Sequence, residues 1–375
     1  MRIAVAMSGG VDSSVAALLL KREGADVVGL SMHLWDHDRD GTGAASGRCC
    51  TLDDLTVARR AAEAIGIPHY VLDLTERFEE AVVRPFVTSY LEGRTPIPCT
   101  ACNTEVKFKT LLARAEALGC DAVATGHYAR VETDSGTGEN RLLKARDLGR
   151  DQSYFLYDLT SEQLSRVRFP LGELEKTAVR AIAREAGLPN WDKPDSQEIC
   201  FVPNGASPAD FIRKEAPRLG LDLPAIGGAR AGEIFLEGGE RVGAHEGTMA
   251  YTVGQRRGLG ISSNDPLYVV AIEPEESRIV AGPAPSLLSK KVSLEAVSVR
   301  MPGGVGQPVR VLARIRSRHP EQAASLTLGE GGRGTLEFDE PVRAAAPGQS
   351  AVFYDRARPE LVLGGGVIAR PQRAA

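Results

Sequence analysis

The sequence predicts an α/β fold: a doubly wound parallel sheet followed by a small central β-rich domain and a C-terminal β-barrel. Three observations predict it. Apolar runs alternate with helical patterns through the first 130 residues, a Gly-Gly loop joins the first run to the first helix, and after about residue 205 Gly, Pro and short β-rich runs dominate. Alternation of strand and helix implies a parallel sheet with ligands at the carboxyl ends of its strands. Evenly spaced short strands with turns between them suggest β modules and a barrel.

The elements follow in order. Residues 2–7 are a short apolar run; the opening, Met1 to Met7, is expected to enter a strand at once and to contain no signal peptide. A helix runs from Ser13 to about Glu23 with Val15, Leu18 and Leu19 on one face, and residues 26–33 form a second buried strand. A helix at 55–65, a strand at 69–73, a helix at 107–118 and a strand at 121–125 complete the rhythm. Residues 36–48 are polar and Gly-rich and read as a mobile insertion. Residues 92–102 are Pro-bearing and non-periodic and read as an ordered loop. A helix at 175–186 precedes a loop at 189–203. Strands are then expected at 232–235, 248–253, 268–272, 292–299, 309–315, 334–338 and 350–354. At about 150 residues per domain, 375 residues make two or three. The expected division is 1–205, 206–278 and 279–375.

Composition excludes more than it assigns. Apolar residues are 43% and charged residues 25%, ordinary for a globular chain, and the formal net charge of −4 does not announce nucleic acid. Arg outnumbers Lys by 36 to 9, which suits bidentate anion contacts. No run of 18 apolar residues exists, so no membrane span is expected, and the chain reads as cytoplasmic. In that reducing setting the six cysteines at 49, 50, 99, 102, 120 and 200 are more readily catalytic, metal-binding or buried than disulfide-forming. Cys99-x-x-Cys102 lacks the second pair a zinc site needs, and no metal-ligating residue is assigned.

Ser8-Gly9-Gly10-Val11-Asp12-Ser13-Ser14 joins the first strand to the first helix. Two glycines let backbone approach an anion, and the N–H groups and dipole of the helix terminus bind phosphate. It is neither a Walker A loop nor GxGxxG. Taken alone it also fits a Ser/Asp-capped turn. The whole string resembles the SGGxDS pyrophosphate loop of the PP-loop ATP pyrophosphatases, a Rossmann-like superfamily, which implies cleavage of ATP between its α and β phosphates.

Cys102 lies at the end of the Pro-bearing loop, next to the expected helix containing Lys107, where a helix N-terminus stabilises a thiolate. Cys200 lies in Lys193-Pro-Asp-Ser-Gln-Glu-Ile-Cys200-Phe-Val-Pro. An isolated cysteine is more often an inert buried thiol. The surrounding strings resemble the tRNA-specific 2-thiouridylases: Gly93 to Phe108 is similar to their nucleophile loop, and Lys193 to Pro203 to their persulfide loop. Leu30–Trp35, Ala124–Arg130, Arg150–Leu156, Phe169–Gly172 and Gly243–Gly260 extend the resemblance to about residue 280, with a looser likeness beyond.

That resemblance implies ATP-dependent 2-thiolation of a tRNA uridine, with position 34 as the family's target. It puts the ATP site at Ala6, Met7, Ser8, Gly9, Gly10, Val11, Asp12, Ser13, Met32 and Gly126. The nucleophile falls on Cys102 and the persulfide carrier on Cys200, with a transient disulfide between them. Target-base contacts fall on Ile97, Pro98 and Cys99, and further tRNA contacts on Arg150, Asp151, Gln152, Arg316 and Ser317. Many family members have Asn-Pro-Asp at 97–99 and an aromatic at 317, so this chain departs there. Mg²⁺ accompanies ATP as a charge clamp, with Asp12 as its helper. No tightly bound cofactor is expected; an iron–sulfur cluster on Cys99, Cys102 and Cys200 would be one thiol short of four. The implied partners are tRNA and a sulfur-donor protein, and the chain is expected to act as a monomer. Alternatives are another PP-loop ligase or amidotransferase, similar to argininosuccinate or GMP synthetases, and an inactive tRNA-binding module.

Arg300, Arg310, Arg314, Arg316 and Arg318 lie in a stretch (296–320) with no acidic residue between the first and last of them. On one strand, 310, 314, 316 and 318 share a face, which fits either a charged strand edge or a phosphate-contacting stripe. Cys49, Cys50 and Cys120 read as structural or incidental, and His127 and His245 as core or hydrogen-bonding residues.

Overall fold

The computed structural model describes residues 1–36, 52–195, 199–203, 205–301 and 304–371. The insertion expected at 36–48, save Asp36, and the cysteines 49 and 50 lie outside them. Two compact units emerge. One comprises Met1–Val83, Pro98–Asn204 and Glu360–Val362; the other comprises Arg84–Ile97, Gly205–Pro359 and Leu363–Ala375.

In the first unit, apolar runs become strands β1 (Arg2–Ala6), β2 (Asp26–His33), β3 (His69–Asp73) and β4 (Ala122–Thr125). A hairpin of β5 (Ala129–Thr133) and β6 (Asn140–Lys144) follows, then β7 (Val167–Arg168). The sheet order is β3-β2-β1-β4-β7, every pairing parallel, which bears out the doubly wound expectation. Helices α1 (Val11–Arg22) and α2 (Leu52–Ile65) occupy the crossovers. Val5, Met7, Val15, Leu20, Ala61, Val179 and Leu188 share one buried core. Because β1 sits between β2 and β4, the chain reverses direction across the sheet at the β1/β4 pair, where such folds bind ligands.

Two helical stretches depart from the sequence expectation. α3 (Thr75–Phe78) leads into a π-helical segment, Glu79–Val83, ahead of α4 (Arg84–Leu91). α5 (Pro98–Ala101) leads into a nine-residue π-helical segment, Cys102–Thr110, and then α6 (Leu111–Ala117). The expected loop at 92–102 therefore ends at Ile97. Pro98 suits a first helical position, and the residue before a proline is held out of the helical region. α7 (Ser161–Ser165) carries a capping box, and α8 (Lys176–Glu185) packs against α1.

The second unit opens its later portion with α9 (Pro208–Glu215), capped by Ser207 and Asp210. β8 (Gly232–Leu236), β9 (Arg241–His245), β10 (Tyr268–Glu273) and β11 (Arg278–Gly282) form a sheet of order β10-β11-β8-β9 over Ile234, Val269 and Ile279. The strand expected at 248–253 is instead a 3-10 turn, Thr248–Ala250, ahead of extended backbone. β12 (Leu288–Val299), β13 (Pro308–Arg314), β14 (Gln322–Leu328), β15 (Gly334–Arg343), β16 (Ser350–Tyr354) and β17 (Val362–Ile368) close into a barrel of order β12-β15-β14-β13-β16-β17. Val311, Leu326, Leu336 and Phe353 are buried in this unit. Among the described residues no helix is long and apolar enough to cross a membrane.

Candidate active site

The nucleotide loop lies at the carboxyl end of β1, between that strand and α1. Ala6 and Met7 are buried, Ser8 is exposed, and Gly9 takes a left-handed φ of +74°. A Cβ on Gly9 would stand 2.4 Å from the Asp54 carbonyl oxygen, so only glycine fits. Ser8 N–H donates to Ser13 Oγ at 3.2 Å, and Ser13 Oγ donates to the Gly10 carbonyl at 3.0 Å. Gly126 follows β4 and faces the start of α1, where a Cβ would meet Ser13 N at 2.6 Å and Asp12 C at 2.7 Å. Met32 is buried near the end of β2. The backbone N–H groups at the start of α1 and the α1 dipole make this loop suited to a phosphate.

A charge network borders the loop. Lys176, at the start of α8, is only 7% exposed. Its Nζ lies 2.7 and 2.8 Å from the two Asp12 oxygens and 2.7 Å from Asp195 Oδ1. The Tyr128 hydroxyl donates to Asp12 Oδ1 at 3.0 Å. Burial and the Asp12 carboxylate push the Tyr128 phenol far above its ordinary value. Asp195 also receives Arg150 Nη1 at 2.7 Å and lies 3.5 Å from Arg180 Nη2. Burial pushes the Asp195 carboxyl up, but Lys176, Arg150 and Arg180 outweigh it and hold it below the usual range.

Lys176, Asn190, Asp195 and Tyr128 were not expected from the sequence. Lys193 and Asp195 lay inside the string quoted for the persulfide loop, but no local pattern marks a lysine at the head of an amphipathic helix as the partner of Asp12, 164 residues away.

Cys102 is the first residue of the π-helical segment and is buried, one turn inside the helix that begins at Pro98. The expected position at a helix N-terminus is thus corrected: Cys99 occupies the first turn, and it is exposed. Two buried polar atoms beside Cys102, Thr100 Oγ1 and Asn103 Oδ1, have no hydrogen-bond partner, while Asn103 Nδ2 donates to the Phe155 carbonyl at 3.0 Å. Cys200 is half-buried, and Phe201 beside it is buried against Phe78 and Trp35, with ring centroids 5.6 and 6.3 Å away. Phe78 ends α3, and α3 packs on the π-helical segment that begins with Cys102. Both thiol-bearing segments are therefore anchored to one helix. Cys120 is buried, which raises its thiol pKa. Among the described residues no cluster of three or more His, Cys, Asp or Glu side chains forms a metal site.

His127 is enclosed by Phe108 and Phe169 and hydrogen-bonds Thr125 Oγ1 through Nδ1 at 2.8 Å. Burial among these rings, assisted by Lys107, lowers its pKa well below the ordinary value. Asp151 accepts from Ala145 N–H and from Ser153, and Gln152 Oε1 accepts from Tyr128 N–H at 2.9 Å, so both side chains fix the loop that carries Arg150. Pro98 and Cys99 belong to the first unit and Ile97 to the second, where Thr95 N–H donates to the Pro347 carbonyl at 2.7 Å.

The arginine stripe needs correction. β13 ends at Arg314, so Arg316, Ser317 and Arg318 lie in the turn beyond it. Arg310 pairs with Asp339 on β15, and Arg314 with Glu321 while stacking on Tyr354 at 5.3 Å. Arg316 Nη2 donates to the Val253 and Ala344 carbonyls at 3.1 and 2.9 Å, whereas Ser317 and Arg318 are exposed.

A parallel sheet with an SGGxDS loop at its reversal point defines the PP-loop class of nucleotide-binding α/β domains. Three family models cover most of the chain: tRNA methyl transferase HUP domain at 1–204, tRNA methyl transferase PRC-barrel domain at 223–283, and Aminomethyltransferase beta-barrel domain at 290–368. The tRNA-specific 2-thiouridylase MnmA of Solibacter usitatus is 48% identical over 98% of both chains. That of Methylobacterium radiotolerans is 47% identical over 100% of this chain and 97% of its own. That of Geobacter metallireducens is 46% identical over 98% and 96%. The chain belongs to the tRNA-specific 2-thiouridylase family. A solved 4-thiouridine synthetase–RNA complex with bound ATP aligns with 58% of this chain and 51% of its own at 17% identity and a TM-score of 0.35, too slight a likeness to bear on the chemistry.

Proposed function

We propose that this protein is an ATP-dependent tRNA uridine 2-sulfurtransferase acting at wobble position 34. The observation that carries this reading is the near-full-length identity to tRNA-specific 2-thiouridylases. The curated relatives described above are all tRNA-specific 2-thiouridylases, so a small-molecule ligase or an inactive binding module is not favoured.

In this reading Ala6, Met7, Ser8, Gly9, Gly10, Val11, Asp12, Ser13, Met32 and Gly126 hold ATP, with α1 N–H groups on its phosphates. A carboxylate has about four lone-pair sites; Lys176 and Tyr128 take three on Asp12, leaving one for a direct or water-mediated Mg²⁺ contact. Mg²⁺ supplies charge neutralisation on the phosphates. The C2 oxygen of uridine is a poor leaving group, and transfer of AMP to it with loss of pyrophosphate makes it a good one.

A partner protein loads Cys200 with a persulfide. The terminal sulfur bonds to C2 as AMP leaves. The Cys102 thiolate then attacks Cys200 Sγ, breaking the sulfur–sulfur bond to leave 2-thiouridine and a Cys102–Cys200 disulfide, which an external dithiol reduces. The other order, in which Cys102 attacks the persulfide first and releases sulfide, uses the same two thiols. The segment 97–99 meets the target base, with Ile97 and Cys99 contributing through backbone in place of the side chains common in the family. Arg150 on its Asp151/Gln152-braced loop, and Ser317 on the turn held by Arg316, contact tRNA. Residues 1–205 form the catalytic domain, 206–278 the central domain and 279–375 the RNA-contacting barrel, in a cytoplasmic monomer.

The test is nucleoside mass spectrometry of unmodified tRNA after incubation with protein, Mg-ATP and inorganic polysulfide. We expect 2-thiouridine from the wild type and none from Cys102→Ser or Cys200→Ser. AMP release without sulfur in the tRNA would overturn the substrate, and thiolation by either mutant would overturn that thiol's role.

A further inference from the structure

The segment leading to Cys200 is fastened to the nucleotide loop at three points. Asn190, 2% exposed, donates through Nδ2 to the Gly9 carbonyl and to Ser14 Oγ, both at 3.0 Å. Lys193 Nζ reaches the Gly9 carbonyl at 3.3 Å and pairs with buried Asp54. Asp195 is joined to Asp12 through the single ammonium of Lys176. On the far side of Cys200, Phe201 is wedged against Phe78 and Trp35.

The three contacts of Lys176 match the three donors an ammonium offers. Two go to the carboxylate beside the phosphate-binding backbone, and one goes to the carboxylate five residues before the sulfur carrier. Without that cation Asp12 and Asp195 repel, and the segment starting at Asn190 loses one of its three fastenings. Arg150 and Arg180 remain on Asp195 and pull it toward their own elements.

We infer that Lys176 is a positioning residue: it sets the placement of the Cys200 segment against the nucleotide loop, so that sulfur reaches the activated C2 ahead of water. This rests on Cys200 being the sulfur carrier, as proposed above. Adenylation itself needs the loop and ATP. Capture of the adenylated base by sulfur needs the two segments in register, since a misplacement of about 1 Å can cost about 10²-fold in rate. Water that attacks first regenerates uridine and releases AMP, so loss of register appears as AMP made without thiolation.

The experiment uses full-length protein, unmodified tRNA, Mg-ATP and inorganic polysulfide, with AMP and 2-thiouridine quantified in the same reaction. For Lys176→Met we expect the ratio of AMP to 2-thiouridine to rise about ten-fold or more. In Lys176→Arg, which keeps the charge, it should return close to the wild-type value. Asn190→Ser, which removes a second fastening without touching a charge, should also raise the ratio, and it decides the matter if circular dichroism shows Lys176→Met unfolded. AMP and 2-thiouridine falling in proportion in the folded variants would overturn the positioning role. A wild type that releases AMP but makes no 2-thiouridine would instead overturn the sulfurtransferase reading on which it rests.

Discussion

Replacing Gly126 by alanine tests the nucleotide loop at its tightest point. The new Cβ would lie 2.6 Å from Ser13 N and 2.7 Å from the carbonyl carbon of Asp12, both backbone atoms that cannot swing aside. Ordinary contact begins near 3.4 Å, so the β4 loop and the start of α1 must part by about 0.8 Å. Overpacking of this kind costs about 1–3 kcal/mol, equivalent to about 3–10 °C in the melting temperature of a domain this size. The displaced Ser13 sits at the turn that would meet phosphate, so tRNA-dependent pyrophosphate release should fall about 10- to 100-fold. Calorimetry and a pyrophosphate assay measure the two effects, with Gly238→Ala as control, because a Cβ there meets nothing within 4 Å. A Gly126→Ala protein with wild-type pyrophosphate release and an unchanged melting temperature would refute the account.

Two further outcomes follow from the same geometry. Desolvation among Phe108 and Phe169 holds the folded-state pKa of His127 well below 6.5, so the unfolded chain binds more protons below that pH; stability is fully present above about 6.5 and lost as pH falls. Chemical denaturation between pH 7.5 and 5 should show stability declining, and His127→Leu should flatten the slope by up to about 1.4 kcal/mol per pH unit; an unchanged slope would contradict the assignment. Arg318 is exposed in the turn after β13, and Arg318→Ala should reduce the slope of log affinity for tRNA against log salt by about one. Filter binding across a salt series measures it, and an undiminished slope would remove Arg318 from the interface.

The parallel sheet was legible because β1, β2 and β4 are short, largely buried runs rich in Val, Ile, Leu, Met and Ala separated by helical periods, and the loop 8–14 was legible as an unbroken string. The stretch 75–91 was not, because π-helical Glu79–Val83 interrupts the 3.6-residue period on which helix recognition depends. α9 was overlooked although Ser207, Pro208 and Asp210 spell a capped start; the Gly- and Pro-rich texture around it drew attention to strands. The arginines of β13 looked unpaired within their own stretch because Asp339 comes from another strand and Glu321 from just beyond the stretch. Lys176 was hidden for a related reason: sequence shows a residue's neighbours along the chain, and the carboxylates that hold this cation arrive from α1 and from the approach to Cys200.

The isolated bridge between Leu143 and Leu361, with Lys144 N–H donating to the Glu360 carbonyl at 2.8 Å, has a consequence during synthesis. The three residues Glu360–Val362 belong to the unit built otherwise from residues before 205. A ribosome making about 5–20 residues per second needs roughly 8–30 s more to deliver them after Asn204 has been polymerised. Through that interval the free edge of β6 waits for the Glu360–Val362 contact, and a nascent chain halted in the barrel carries a nucleotide-binding unit that has yet to receive its last piece.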